Sequence, residues 1–385
     1  MRVKAAVLRE MGLPAPYAQS LPLSIEEVVL APPGPGEVRV RVRAAGLCHS
    51  DLSVVNGDRA WPMPIVLGHE AAAEVVEIGP GGSDLAIGDP VVLIFRPTCG
   101  ACLSCSTGRP ALCGPGGDAN GAGSLLGGYR RLQAAGGRSG VGAAPDGVLN
   151  HHMGCSAFAE YATVSRRSVV RIEPGLAWDE AALFGCAVLT GAGAVFNTAR
   201  MEAGSRAAVV GLGGVGFSSL LAAAACGART LVAVDLLDSK LETARSLGAT
   251  HCFNAADPQI IDKVKDATGG GVDYSFEMAG SVKALELAYR ITARGGTTVT
   301  AGLPNPAAKW ELQAVSLIAE ERTVKGSYIG SCVPARDVPR FVAMYRAGHL
   351  PVNRLLSERV PLAEINPALD RLARGEAIRQ VILMD

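Results

Sequence analysis

The apolar and polar positions change their period along the chain. Residues 1–45 carry short apolar runs broken by Pro and Gly. Within them Glu37-Val38-Arg39-Val40-Arg41-Val42-Arg43 alternates strictly, which predicts a half-buried strand, and the preceding Pro32-Pro33-Gly34-Pro35-Gly36 predicts a turn. This antiparallel, β-rich pattern resumes over residues 158–164. Near residue 188 it gives way to alternating strand and helix. Residues 206–210 read as a buried strand, 217–225 as a helix stopped near Gly227, and 231–234 as a second strand with Asp235 at its end. Further strands are expected over 272–276 and 297–301. Residues 326–330 read as the last strand before the chain returns to its first domain, and 377–383 as a final strand. In residues 114–150 glycine makes up about a third and periodicity vanishes, which predicts a long irregular surface loop rather than a domain.

The change of period predicts a domain made of residues 1–187 and 330–385, interrupted by a second domain of residues 188–329. A chain of 385 residues is too long for one ordinary core, which agrees. The fold class expected is α/β plus β. Hydrophobic residues make up 49% and charged residues 19%, as in a well-buried globular enzyme. Lys plus Arg and Asp plus Glu both number 36, and this balance argues against nucleic acid or an anionic membrane as the main partner. The opening Met1-Arg2-Val3-Lys4 leads into a strand-like segment, so neither a signal peptide nor a spanning helix is expected. Ten cysteines without a secretory signal suggest a reducing, cytoplasmic setting, where clustered cysteines bind metal more often than they form disulfides.

Two donor sets follow. Cys48, His69 and Cys186 offer two thiolates and an imidazole, three protein ligands that leave one tetrahedral position open, as in a catalytic zinc site. Asp51 and Glu70 are the carboxylates placed to orient His69 through its far ring nitrogen. Glu70 is also an alternate ligand candidate. Cys99, Cys102, Cys105 and Cys113 form C-x2-C-x2-C-x7-C, four thiolates on one loop that would close a structural zinc site. An iron–sulfur cluster uses the same ligand count, but nothing else in the chain suggests electron transfer. The pair His151-His152 invites a metal assignment, which is set aside because adjacent side chains on a strand point to opposite faces.

Gly211-Leu212-Gly213-Gly214-Val215-Gly216 lies between a strand and a helix, with Asp235 about twenty residues on. That context makes it a dinucleotide-binding fingerprint: the glycines let the backbone approach a pyrophosphate, and the helix N-terminus supplies positive potential. Asp235 would accept from the adenosine ribose hydroxyls and repel a 2′-phosphate, which favours NAD over NADP. Lys240 could reach the same ribose. Arg379, in the final strand, would either face the cofactor phosphates or be plain surface charge.

These motifs together resemble zinc-dependent medium-chain alcohol dehydrogenases, over nearly the whole chain and in the family's order: Gly46-Leu47-Cys48-His49-Ser50-Asp51, Gly68-His69-Glu70, the four-Cys loop, Gly185-Cys186, Gly211 to Gly216, and Ile378-Arg379. The resemblance implies a GroES-like catalytic domain with an inserted Rossmann doubly wound domain, and an active site in the cleft between them. It implies reversible oxidation of an alcohol to an aldehyde or ketone with NAD and two zinc ions, and Ser50 relaying the substrate proton. It also implies His49 and Arg379 at the pyrophosphate, Thr190 and Val215 beside the nicotinamide, Trp61 and Phe95 in the substrate channel, and a homodimer or homotetramer. Ser53 stands where many relatives have a relay histidine. Alternatives are a thiol-dependent (S-hydroxymethyl thiol) formaldehyde dehydrogenase on the same scaffold and a non-enzymatic nucleotide-binding relative, against which the intact zinc ligands argue. A polyol dehydrogenase is disfavoured, since that branch tends to carry Glu at the position of Cys186.

Overall fold

A computed structural model describes residues 1–136 and 147–384. It divides into one unit of Met1–Cys186, Val333–Val342 and Leu356–Asp385, and another of Ala187–Cys332 and Ala343–Leu355.

The first unit holds two β-structures. Arg2–Leu8, Leu23–Leu30, Leu132–Ala134, Val148–His151 and Ile65–Val66 close a small barrel. The alternating segment of the sequence becomes the long strand Glu37–Leu47, central to a second sheet. It pairs antiparallel with Ala71–Ile78, Tyr161–Ser165 and Arg379–Leu383. Val38, Val40 and Val42 are buried in the core with Ala73, Val75, Val91, Val164 and Ile382.

The stretch 114–150 differs from the loop expected. Gly114–Gly121 is a helix, and Leu132–Ala134 and Val148–His151 are barrel strands; residues 137–146 lie outside the described residues. The helix is invisible to periodicity because each glycine in a helix interior costs roughly 0.5–1 kcal/mol relative to alanine and no apolar stripe marks it. Outside contacts hold it instead. The Cys113 sulfur accepts from Gly116 N–H at its start, and Asn120 Nδ2 donates to Phe95 O at 2.9 Å.

The second unit is a six-stranded parallel sheet in the order His251–Asn254, Thr230–Asp235, Arg206–Val210, Val272–Glu277, Thr292–Thr300, Thr323–Gly326. The last strand ends at Gly326, earlier than the pattern suggests, and a short 3-10 turn follows over Ile329–Ser331. The glycine-rich turn joins the central strand to the helix Gly214–Ala225. Gly216 is obligatory there: a Cβ would sit 1.8 Å from Gly211 O. Among the described residues no single helix is long and apolar enough to cross a membrane.

Candidate active site and metal centres

Sheet register assembles the first centre. Ala45 lies opposite Ala71, and Leu47 opposite Gln380. Cys48, Glu70 and Arg379 therefore emerge at the same end of neighbouring strands. Cys48 is the N-cap of the helix His49–Val55. Asp51 in its first turn accepts from Cys48 N–H at 3.1 Å through one oxygen. Its other oxygen accepts from Gly68 N–H at 3.3 Å and from His69 Nδ1 at 3.0 Å. One buried carboxylate thus ties the Cys48 helix to the His69 turn and fixes the His69 tautomer with its proton on Nδ1. Gly68 holds that turn at φ +90°, and a Cβ there would lie 2.5 Å from Phe158 N. Cys186 follows the 3-10 turn Leu183–Gly185.

The ligand atoms of Cys48, His69 and Cys186 lie within 4.8 Å of one another, all in buried residues. His69 Nε2 is buried with no hydrogen-bond partner among the described residues, although its opposite nitrogen is tightly held. A nitrogen aimed in this way among two sulfurs fits a zinc ion. In the protein chain alone, the Cys186 thiol beside Cys48 holds Cys48 well below the usual thiol range against its burial, with help from His69 and Arg379. The same pairing and burial push Cys186 well up. Burial presses His69 down, but the Asp51 carboxylate and Cys48 outweigh it and raise it to about 10. A metal entering this set must displace those protons, so its affinity falls as pH falls.

Glu70 does not orient His69. It is fully buried and ion-paired with Arg379, which also donates to Leu47 O at 3.4 Å. Arg379 is buried, not the surface charge that sequence left open. Ser50 Oγ lies 3.9 Å from Cys48 Sγ. Ser53 Oγ donates to His49 O at 2.8 Å, one turn back on its own helix, and His49 is exposed at that helix's start. Phe95 packs edge-on to His69 at 5.6 Å between ring centroids.

The histidine pair divides where its strand ends, His151 being the last strand residue and His152 the first beyond it, a consequence that sequence alone does not show. His151 faces the barrel, where its Nε2 accepts from Arg131 N–H at 3.0 Å. Burial and the neighbouring Arg130 and Arg131 drive it down to about 3. His152 turns the other way, into the centre, with Trp61 5.0 Å and His69 5.5 Å from its ring.

The second centre gathers the four cysteines of one loop. Cys99 and Cys105 sulfurs are 4.0 Å apart, and those of Cys102 and Cys113 are 3.9 Å apart. Tetrahedral zinc with bonds of about 2.3 Å sets sulfurs about 3.8 Å apart, so the cage fits. Backbone N–H groups of Ala101 and Cys102 point at Cys99 and lower it to about 6; the Cys105 backbone lowers Cys102; burial pushes Cys105 up to about 12.

In the second unit Asp235 closes the glycine-rich turn. Its carboxylate accepts from Leu212 N–H at 2.7 Å and from Leu237 N–H at 3.0 Å. Gly211, Gly213 and Gly214 complete the turn with Gly216. Lys240 follows in the helix Asp238–Ser246. Thr190 and Val215 lie on the helices Ala187–Gly193 and Gly214–Ala225, which meet where Ser219 Oγ donates to Gly191 O at 3.0 Å.

Fold and centres together define a metal-binding dehydrogenase, and comparison with known proteins agrees. Residues 34–174 match the alcohol dehydrogenase GroES-like domain and residues 214–346 the zinc-binding dehydrogenase domain. The chain is 36% identical to an NDMA-dependent alcohol dehydrogenase of Amycolatopsis methanolica over 100% of this chain and 99% of the relative. Among solved structures it resembles an alcohol dehydrogenase zinc-binding domain protein from Burkholderia ambifaria, with TM-score 0.91 and 34% identity over 100% and 99% of the two chains. It also resembles benzyl alcohol dehydrogenase from Acinetobacter calcoaceticus, with TM-score 0.90 and 30% identity over the whole of both. The chain belongs to the zinc-dependent medium-chain alcohol dehydrogenase family. The expected fold class, a GroES-like domain joined to a Rossmann sheet, is the one found.

Proposed function

We propose that the protein oxidises an alcohol to an aldehyde or ketone, reversibly, with NAD as hydride acceptor and zinc at Cys48, His69 and Cys186. The observation that carries this reading is the buried, unpartnered Nε2 of His69 between two cysteines. It is joined by Glu70, which Arg379 draws into an ion pair and so keeps from serving as a fourth protein ligand. Bound zinc would supply Lewis acidity that lowers the pKa of a substrate hydroxyl, and NAD would accept the hydride. The balance is R2CHOH + NAD⁺ → R2C=O + NADH + H⁺: the C–H electron pair leaves as hydride, and the O–H proton leaves through the Ser50 hydroxyl, which accepts it while passing its own proton on toward solvent. A second zinc, on Cys99, Cys102, Cys105 and Cys113, would be structural. Asp235, negative beside the glycine-rich turn, supports NAD over NADP. The free state of all ten cysteines suits a cytoplasmic enzyme.

The test is a panel of primary, secondary and aromatic alcohols followed by NADH absorbance, with NAD or NADP, together with metal analysis. Two zinc ions per chain and NAD-linked turnover are expected. Turnover only with added NDMA, as the name of the Amycolatopsis relative suggests for that enzyme, would overturn free NAD as acceptor. Formaldehyde oxidation that requires an added low-molecular-weight thiol would instead favour the thiol-adduct dehydrogenase. Sedimentation would test the homodimer that the family resemblance implies.

A further inference from the structure

His152 is fully buried, and neither of its ring nitrogens has a hydrogen-bond partner among the described residues. Buried polar groups in folded proteins are nearly always paired, and an orphan carries the full cost of its lost hydration. Nδ1 lies 3.4 Å from Asp51 Oδ1 without bonding geometry. The carboxylate draws the ring proton to that side. Nε2 is left as a lone pair on a ring that packs edge-on to Trp61 and His69.

Asp51, His69 and His152 also lie close enough together to suggest a metal of their own. That reading fails on the bonding of Asp51 and His69. A cation there would take the Nδ1 proton that ties His69 to Asp51 and would set a second positive charge one imidazole away from the first metal. A packing role alone is also unsatisfying, because a phenyl ring fills the same space without an orphaned nitrogen. A group that arrives with the substrate and brings a donor would satisfy the orphaned nitrogen. The His69 and His152 rings are 5.5 Å apart. The two rings are in edge contact, so a hydroxyl close to the reacting carbon is the substrate group that could reach His152.

We propose that His152 Nε2 accepts a hydrogen bond from a second hydroxyl of the substrate, on the carbon next to the one oxidised, so that His152 selects vicinal diols and related hydroxylated alcohols over simple ones. This rests on the alcohol dehydrogenase reading above.

The full-length zinc-loaded protein is assayed with propane-1,2-diol and propan-1-ol, as wild type, His152→Phe and His152→Gln. His152→Phe keeps a flat ring and removes the acceptor; His152→Gln keeps an acceptor. Thermal stabilisation by each alcohol, which needs no turnover, is measured alongside. The expected result is a ratio of kcat/KM, diol over monool, that falls about tenfold in His152→Phe and partly recovers in His152→Gln. The diol's extra thermal stabilisation should disappear in His152→Phe, while the ligand-free protein melts no lower. An equal change for both alcohols would overturn the proposal, and so would loss of zinc from a folded His152→Phe. If the wild type oxidises neither alcohol, the dehydrogenase reading fails while the thermal shifts still decide His152: a diol-specific shift abolished by His152→Phe supports it, and equal shifts refute it.

Discussion

At the four-cysteine lobe every sulfur comes from residues 99–113, and backbone N–H groups of the same loop point at the sulfurs. At the Cys48–His69–Cys186 centre the donors come from three distant segments, and a side chain, Asp51, holds two of them together. As a metal site the first arrangement would be closed, with four donors and no place for a substrate. The second has three, and its nearest spare carboxylate is tied to Arg379. Chain-local ligands suit a staple, because loop closure among near neighbours costs little. Ligands from separate elements suit chemistry, because each can be oriented by its own support.

The sharpest way to break that contrast is to remove one ligand from each centre. His69→Ala should reduce alcohol oxidation to background and lower metal content from two zinc ions per chain to one, with melting temperature nearly unchanged. Collapse of the fold would show that this centre is a staple as well. Ser50→Ala should lower turnover by about 10²–10⁴-fold with metal retained, the range for lost acid–base assistance. Ser53→Ala should change little, since its hydroxyl is spent on His49 O; the pH profile of oxidation in both variants distinguishes them. Cys102→Ser should act in the opposite sense: a stability loss of several kcal/mol, on the order of 10 °C in melting temperature, with near wild-type turnover in the protein that remains folded at low temperature.

A separate effect concerns the barrel rather than either metal. Burial holds His151 near 3, below the roughly 6.5 of an unfolded chain. Between those values the unfolded state binds the extra proton, so stability falls as pH drops from about 6.5 toward 3, by at most ~1.4 kcal/mol per pH unit. His151→Gln, which can still accept from Arg131 N–H, should flatten that part of the stability curve. Parallel curves for the two proteins would remove His151 as a contributor.

The same contrast explains what sequence could and could not tell. The four-cysteine spacing and the Gly211–Gly216 turn are local, and both were readable because the residues that matter are neighbours in the chain. The alternation over Glu37–Leu47 gave the central strand for the same reason. The Glu70–Arg379 pair was not readable, since it depends on Arg379–Leu383 lying in register beside the strand that ends at Leu47. Nor was the helix Gly114–Gly121, which other segments hold together and no apolar stripe announces. His152 was not readable either, since it lies in the bend just past the strand Val148–His151, where alternation no longer fixes which way a side chain points.

The pairing of Arg379 with Leu47 O spans 332 residues of sequence. At synthesis rates of about 5–20 residues per second, Cys48 and His69 leave the ribosome roughly 15–70 seconds before the strand that steadies Glu70. All of Ala187–Cys332 is made within that interval and can complete its own sheet. The Glu70–Arg379 pair is therefore among the last long-range contacts the chain can make, completed only after the strand Arg379–Leu383 has been synthesised.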